Sequence, residues 1–268
     1  MPRIQYGLPT PEALEEAEHS DDIILGGCIV REDTYHCTKC GLGLDENMRV
    51  VWPDHYIASS DIISAPGVQD NDGVIVLTSC GFDVVREEKF YAAYYMAAGD
   101  PRGKRVLYVT TAADGEDGDK SWMDEEEVRM YTFGFRPESI TEYKIGDKLN
   151  ADDFDVMYLM GGNSYYLLDM IRKHNFDKVI RKFLEDGKVV IGSSAGSQVL
   201  GTSVKVSADE NKIGMTDFEA LGLVDALIIP HTNRKQEFVR EWREKTDERI
   251  IALTDYTGII VTNKDYRK

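Results

Sequence analysis

Gly192-Ser193-Ser194-Ala195-Gly196 sets a serine two residues from each of two glycines, directly after the apolar run Val189-Val190-Ile191 and before a helix-like run from Ser197 to Leu200. A Gly-x-Ser-x-Gly turn between strand and helix pushes the serine Oγ into the open at the carboxyl edge of a sheet, and the glycines permit the crowded backbone. Ser194 is therefore the candidate nucleophile and hydrolysis the default reaction. A serine hydroxyl needs a base to take its proton, and an imidazole serves best when a carboxylate fixes its tautomer. His231 follows the apolar run Leu227-Ile228-Ile229-Pro230, and Asp255 follows Ile250-Ile251-Ala252-Leu253-Thr254. Both are expected at strand ends, the base and its orienting acid. Oxyanion stabilisation requires N–H groups aimed at the developing charge. Ala195, next after the nucleophile, offers one; Gly162, in the turn Gly161-Gly162-Asn163, offers the other.

These residues must be positioned by a sheet. From Gly73 onward short apolar runs alternate with amphipathic ones. Strands are expected at Val74–Thr78, Arg105–Thr110, Ile140–Ile145, Asp155–Met160, Val189–Ile191, Leu227–Ile229, Ile250–Thr254 and Ile259–Thr262, the last two closing the sheet. Helices are expected over Glu87–Ala98, Trp122–Thr132, Tyr165–His174, Phe176–Asp186 and Lys235–Asp247. Such alternation predicts an α/β fold with a mostly parallel, doubly wound sheet flanked by helices, whose active residues sit where strands end.

Residues before about 70 read differently. Turn residues are dense and apolar periodicity poor, so the division expected is a small irregular module over 1–68, a linker, and a catalytic domain over 73–268. Thr10-Pro11 reads as the start of a short helix to about Ala17. Cys37-Thr38-Lys39-Cys40-Gly41 points two thiols at one centre, with Cys28 a third candidate ligand and His36, His19 or His55 a fourth. A structural zinc site and unmetallated thiols both fit this pattern, and no cofactor is expected for catalysis. Cys80, in a strand-like stretch, reads as a small buried apolar residue.

The chain of 268 residues carries 48 acidic and 31 basic side chains, a net charge of −17. That excess repels nucleic acid and anionic membranes, so neither is an expected partner. No apolar run approaches the roughly 18 residues of a spanning helix, and the opening residues lack a signal-peptide pattern, so a cytoplasmic setting is expected. An acidic substrate would need a local Arg or Lys. Arg234 and Arg240, soon after His231, are the candidates, with solvated helix positions as the alternative.

Taken together, Gly161-Gly162-Asn163-Ser164-Tyr165-x-Leu167-Leu168, Gly192-x-Ser194-Ala195-Gly196-Ser197 and Pro230-His231 resemble peptidase E, the aspartyl dipeptidase family of serine peptidases, whose fold is related to class I glutamine amidotransferases. Leu77-Thr78-Ser79-x-Gly81-Phe82 and Thr110-Thr111-Ala112-Ala113-Asp114 are similar too, and the likeness spans about residues 73–268. It implies Ser194 as nucleophile, His231 as general base, Asp209 as an acid tied to activity, and Asp255 at the place of the triad acid, which is Glu in the best-known members. A Ser–His dyad is the alternative to a third member. The resemblance implies a small peptide as substrate, with preference for an amino-terminal Asp that needs a cation such as Arg234 to receive it; Asn163 is a candidate substrate-binding residue and a homodimer a candidate assembly. An amidase on the same scaffold and a vestigial site in a binding protein are the competing readings; the first would use Cys at the elbow.

Overall fold

A computed structural model describes residues 73–82 and 88–262, together with five short strands nearer the amino terminus. Those strands are β1 (Arg3–Gln5), β2 (Ile23–Leu25), β3 (Tyr35–His36), β4 (Gly43–Leu44) and β5 (Ile62–Ile63). The first four form a small sheet in the order β2-β1-β3-β4. The helix expected from Thr10, and Cys28, Cys37, Cys40, His19 and His55, lie outside the described residues.

The chain continues as β6 (Val74–Thr78), α1 (Glu88–Ala98), β7 (Val106–Val109), α2 (Trp122–Phe133), β8 (Ile140–Tyr143), β9 (Val156–Leu159), α3 (Ser164–Lys173), α4 (Phe176–Glu185), β10 (Val189–Ser193), α5 (Ala195–Leu200), β11 (Leu227–Ile229), α6 (Gln236–Lys245), β12 (Ile250–Ala252) and β13 (Gly258–Thr262). Seven strands form the main sheet, ordered β5-β13-β6-β10-β9-β7-β8. From β6 to β8 all neighbours are parallel, while β13 lies antiparallel to β6 and parallel to β5. This is the mostly parallel α/β architecture that the alternating pattern predicts.

Strands covered on both faces read as unbroken apolar runs, and β6, Val-Ile-Val-Leu-Thr, is buried at every position. Alternation then divides its side chains between two cores. Ile75 and Leu77 join α3, α4 and α5 on one face; Val74 and Val76 join α1 and α2 on the other. In α4 the buried Phe176, Ile180, Phe183 and Leu184 fall on one stripe at helical spacing. Full burial of each such side chain contributes about 1.5–3 kcal/mol.

One expectation is corrected. Ile250–Ala252 does not close the main sheet; β12 pairs in parallel with β11 in a separate two-stranded sheet. The flank of β6 is taken instead by β13, in register from Gly258 opposite Thr78 to Thr262 opposite Val74. A tight turn, with the Thr257 N–H donating to the Thr254 carbonyl at 3.2 Å, reverses the chain after β12 and sends β13 back along that edge. The small sheet keeps its own core of Val206, Leu227, Ile229 and Val239, the last from α6.

Candidate active site

The strand order sets the site. β10 lies between β6 and β9, with Gly192 opposite both Leu77 and Leu159, so the three strands end level with one another. Their exits carry Ser79-Cys80, Gly161-Gly162 and Ser194.

Ser194 adopts φ 47° and ψ −107°, a conformation that costs a non-glycine residue free energy and is held by its surroundings. The flanking glycines are required by packing. A Cβ on Gly196 would stand 2.0 Å from the Leu159 carbonyl oxygen, and one on Gly192 2.6 Å from the Gly196 backbone. The Ser194 N–H donates to the Thr78 carbonyl at 3.1 Å. Ser197 Oγ ties the turn further, accepting from the Thr78 N–H at 3.0 Å with its one proton shared between the Thr78 and Gly192 carbonyls, 2.7 and 2.8 Å away. Gly162 has φ 133°, and a Cβ there would lie 2.4 Å from the Ala112 carbonyl carbon. Neither the Gly162 nor the Ala195 N–H donates a hydrogen bond among the described residues, leaving both available to an incoming oxygen.

His231 comes from the exit of β11 and is the other non-glycine site residue with positive φ, 60°. Its backbone N–H donates to Ser79 Oγ at 2.7 Å. Its Nε2 stands 2.9 Å from Ser194 Oγ and its Nδ1 2.6 Å from Asp255 Oδ1. With the Nδ1 proton donated to the carboxylate, Nε2 is left as an acceptor for the serine hydroxyl. Asp255 lies in the turn after β12 and is only 2% exposed. Its Oδ2 accepts from Asn233 Nδ2 at 2.9 Å and pairs with Arg234 Nε at 2.7 Å, while its own N–H donates to Asn233 Oδ1 at 3.0 Å. Burial by itself would raise this carboxyl pKa; hydrogen bonds from Asn233, His231 and Cys80, with the nearby His231 charge, prevail and hold it well below the usual carboxylate range.

Ser194, His231 and Asp255 are thus joined in one hydrogen-bonded line, and Gly162 and Ala195 flank Ser194. Other expected residues stand outside that line. Asp209 Oδ2 accepts from the Ser164 N–H and Ser164 Oγ, both at 2.7 Å, at the start of α3, and makes no hydrogen bond to the three. Asn163 is the N-cap of the same helix, its Oδ1 accepting from the Tyr166 N–H at 3.1 Å and its Nδ2 donating to the Glu210 carbonyl at 3.0 Å. Arg234 lines the cavity but is paired to Asp255. Arg240 pairs with Glu237 on the exposed face of α6.

Four further residues contribute at the site without a role assigned from sequence. Ser79 bonds His231, and Asn233 clamps Asp255. Cys80 is half-buried rather than a core residue: its thiol donates to Asp255 Oδ1 at 3.3 Å, and burial, then that bond and the Asp255 charge, push its pKa up to about 12. Glu126, from α2, is buried in the cavity wall. Ser79 and Cys80 do carry a signal, since both follow a strand in the parallel sheet. Glu126 carries none, because one acid among Asp124, Glu125, Glu126 and Glu127 looks like solvated helix surface.

The cavity over Ser194 measures about 540 Å³ and is also lined by Ser79, Glu126, Arg129, Gly162 and His231. No helix of the described residues is long and apolar enough to cross a membrane.

Residues 75–268 match the model of peptidase family S51. An uncharacterized peptidase of Listeria monocytogenes, Lmo0363, is 26% identical over 180 residues, covering 61% of this chain and 85% of that protein. A peptidase E of Shewanella denitrificans is 33% identical over a shorter stretch of 84 residues, 31% of this chain and 36% of that protein. Among solved structures, a peptidase E candidate from Listeria monocytogenes EGD-e superposes with a TM-score of 0.60 at 24% identity, covering 72% of this chain and 96% of that one, a likeness of fold.

Proposed function

We propose a specific reaction for this chain, which belongs to peptidase family S51 and is a serine-type peptidase of the peptidase E kind: hydrolysis of small peptides through an acyl-enzyme on Ser194. The observation that carries it is the unbroken line from Ser194 Oγ through His231 to Asp255, 2.9 and 2.6 Å at its two links.

Ser194 Oγ attacks the scissile carbonyl carbon as His231 Nε2 takes the hydroxyl proton. The carbonyl oxygen gains the electron pair of its π bond and is met by the Gly162 and Ala195 N–H groups. Collapse re-forms the carbonyl and breaks the C–N bond. The leaving amine takes the proton from His231. Water then repeats the sequence, its proton passing to His231 and its oxygen to the acyl carbon, until Ser194 is released with the acid product. Asp255 keeps Nδ1–H in place throughout and stabilises the imidazolium. Asn233, Cys80 and Arg234 keep Asp255 charged, which favours the triad over a Ser–His dyad.

The test is dipeptide hydrolysis by the wild type and by Ser194→Ala, with folding followed by circular dichroism. The substitution is expected to lower kcat about 10⁶-fold while the fold stands, because it removes one hydroxyl at a turn. A variant keeping a tenth of the activity would remove Ser194 from the reaction.

A further inference from the structure

The wall of the cavity is acidic, and its cations are already engaged. Glu116, Asp117, Asp119, Glu125 and Glu126 line it against Arg129 and Arg234. Arg129 pairs with Glu125 at 3.2 Å and Arg234 with Asp255 at 2.7 Å. Asp117 is matched by Lys212 at 2.8 Å. Glu126 is different: it is only 5% exposed, and no ion pair reaches it among the described residues.

Its place is fixed from α2 by the buried Tyr158 hydroxyl, which donates to Oε1 at 2.7 Å. Burial first, and then the Glu126 charge, hold that phenol well above its ordinary pKa, so it remains a donor. Burial also raises the Glu126 carboxyl itself, with hydrogen bonds from Ser193 and Tyr158, the Arg129 charge and the Gly161 N–H offsetting part of that cost. A carboxylate in this setting gains from a cation brought within hydrogen-bond distance. A Cβ on Gly161 would stand 3.3 Å from Ser194 Cβ and 3.8 Å from Glu126 Oε2, so Ser194 Cβ and that carboxylate oxygen are no more than about 7 Å apart. One residue of substrate bridges that gap, its carbonyl at Ser194 and an amine at Glu126.

Building on the serine-peptidase reading, we propose that Glu126 receives an ammonium group of the substrate, so that the enzyme selects peptides with a positive charge beside the scissile carbonyl and disfavours an acidic first residue. The α-amino group and a lysine side chain both supply that chemistry. An Asp side chain in the same cavity would face Glu116 and Glu126, with both lining arginines already paired.

The experiment measures kcat and KM of the full chain on Lys-Leu, Ala-Leu and Asp-Leu, each with a free and an acetylated amino terminus, for the wild type and Glu126→Gln. The wild type is expected to rank Lys and Ala above Asp. Loss of Ala-Leu cleavage on acetylation assigns the ammonium to the terminus; retention of acetyl-Lys-Leu with loss of acetyl-Ala-Leu assigns it to the side chain. Glu126→Gln should lower kcat/KM for the cationic peptides about 10- to 100-fold, chiefly through KM, and narrow their lead over Asp-Leu. If Glu126→Gln does not fold, the acetylated series decides in the wild type: acetyl-Ala-Leu cleaved as fast as Ala-Leu, with no preference for acetyl-Lys-Leu, overturns the assignment. Preference for Asp-Leu, or charge ratios untouched in a folded Glu126→Gln protein, overturns the assignment. A wild type that labels with a fluorophosphonate on Ser194 but prefers Asp-Leu defeats only this inference; absence of labelling and of all cleavage defeats the serine-peptidase reading, and the assignment with it.

Discussion

The two halves of the proposed triad are held by different kinds of structure. Ser194 leaves the middle of a seven-stranded sheet, and its turn is fixed by close backbone packing, with Gly196 against Leu159 and Gly192 against the turn itself. His231 and Asp255 leave a two-stranded sheet with a core of four buried residues; the His231 N–H bond to Ser79 and the Cys80 bond to Asp255 register them against the main sheet, and Asn233 ties their two loops together. Steric packing tolerates no added atom, whereas a polar clamp distributes its work over several bonds. The nucleophile side should therefore fail by misfolding when crowded, and the base side by loss of alignment in a folded protein.

Substitutions can separate the two. His231→Ala should cost activity on the scale of the nucleophile itself, about 10⁶-fold in kcat, with the sheet intact. Next comes Asp255→Asn, expected to lower kcat about 10³- to 10⁴-fold by releasing the imidazole tautomer and orientation. The same variant carries a stability signature. The Asp255 pKa is depressed in the folded protein, so its contribution is fully present above the unfolded value of about 3.9 and is lost as pH falls through the lower folded value. The stability gap between wild type and Asp255→Asn should hold near neutral pH and shrink only below about pH 4; denaturant midpoints measured across that range check it. A gap independent of pH would mean the carboxylate charge contributes nothing.

On the sheet side, Gly196→Ala forces a methyl onto the Leu159 carbonyl and is expected to destabilise by about 3 kcal/mol or more, read as a lowered denaturant midpoint. The smallest effect belongs to Asn233→Ala, which removes one of the partners holding Asp255 and should lower kcat roughly tenfold with little change in the midpoint. If Asn233→Ala unfolds the protein and Gly196→Ala does not, the contrast between the halves is wrong.

The same contrast governed what could be read in advance. Strands buried on both faces announce themselves as apolar runs, and the glycines of the elbow mark their own backbone, so the parallel sheet and Ser194 were legible in local pattern. His231 and Asp255 were legible only as strand-end residues; their meeting depends on β11 and β12 pairing away from the main sheet, which no local pattern encodes. Asp209, an acid at a suggestive distance along the chain, binds Ser164 at the head of α3, a partner that local pattern does not reveal. Glu126 was hidden in a run of acids, since only tertiary packing of α2 against Tyr158 distinguishes it from its exposed neighbour Glu125.

The central claim is covalent, and mass spectrometry of the intact protein after exposure to a fluorophosphonate addresses it most directly. Nucleophilic attack by Ser194 with proton transfer to His231 predicts a single phosphonyl adduct that maps to Ser194, disappears in Ser194→Ala and forms far more slowly in His231→Ala. Peptide hydrolysis continuing in wild-type protein with no adduct, or with the adduct on another residue, would contradict the account.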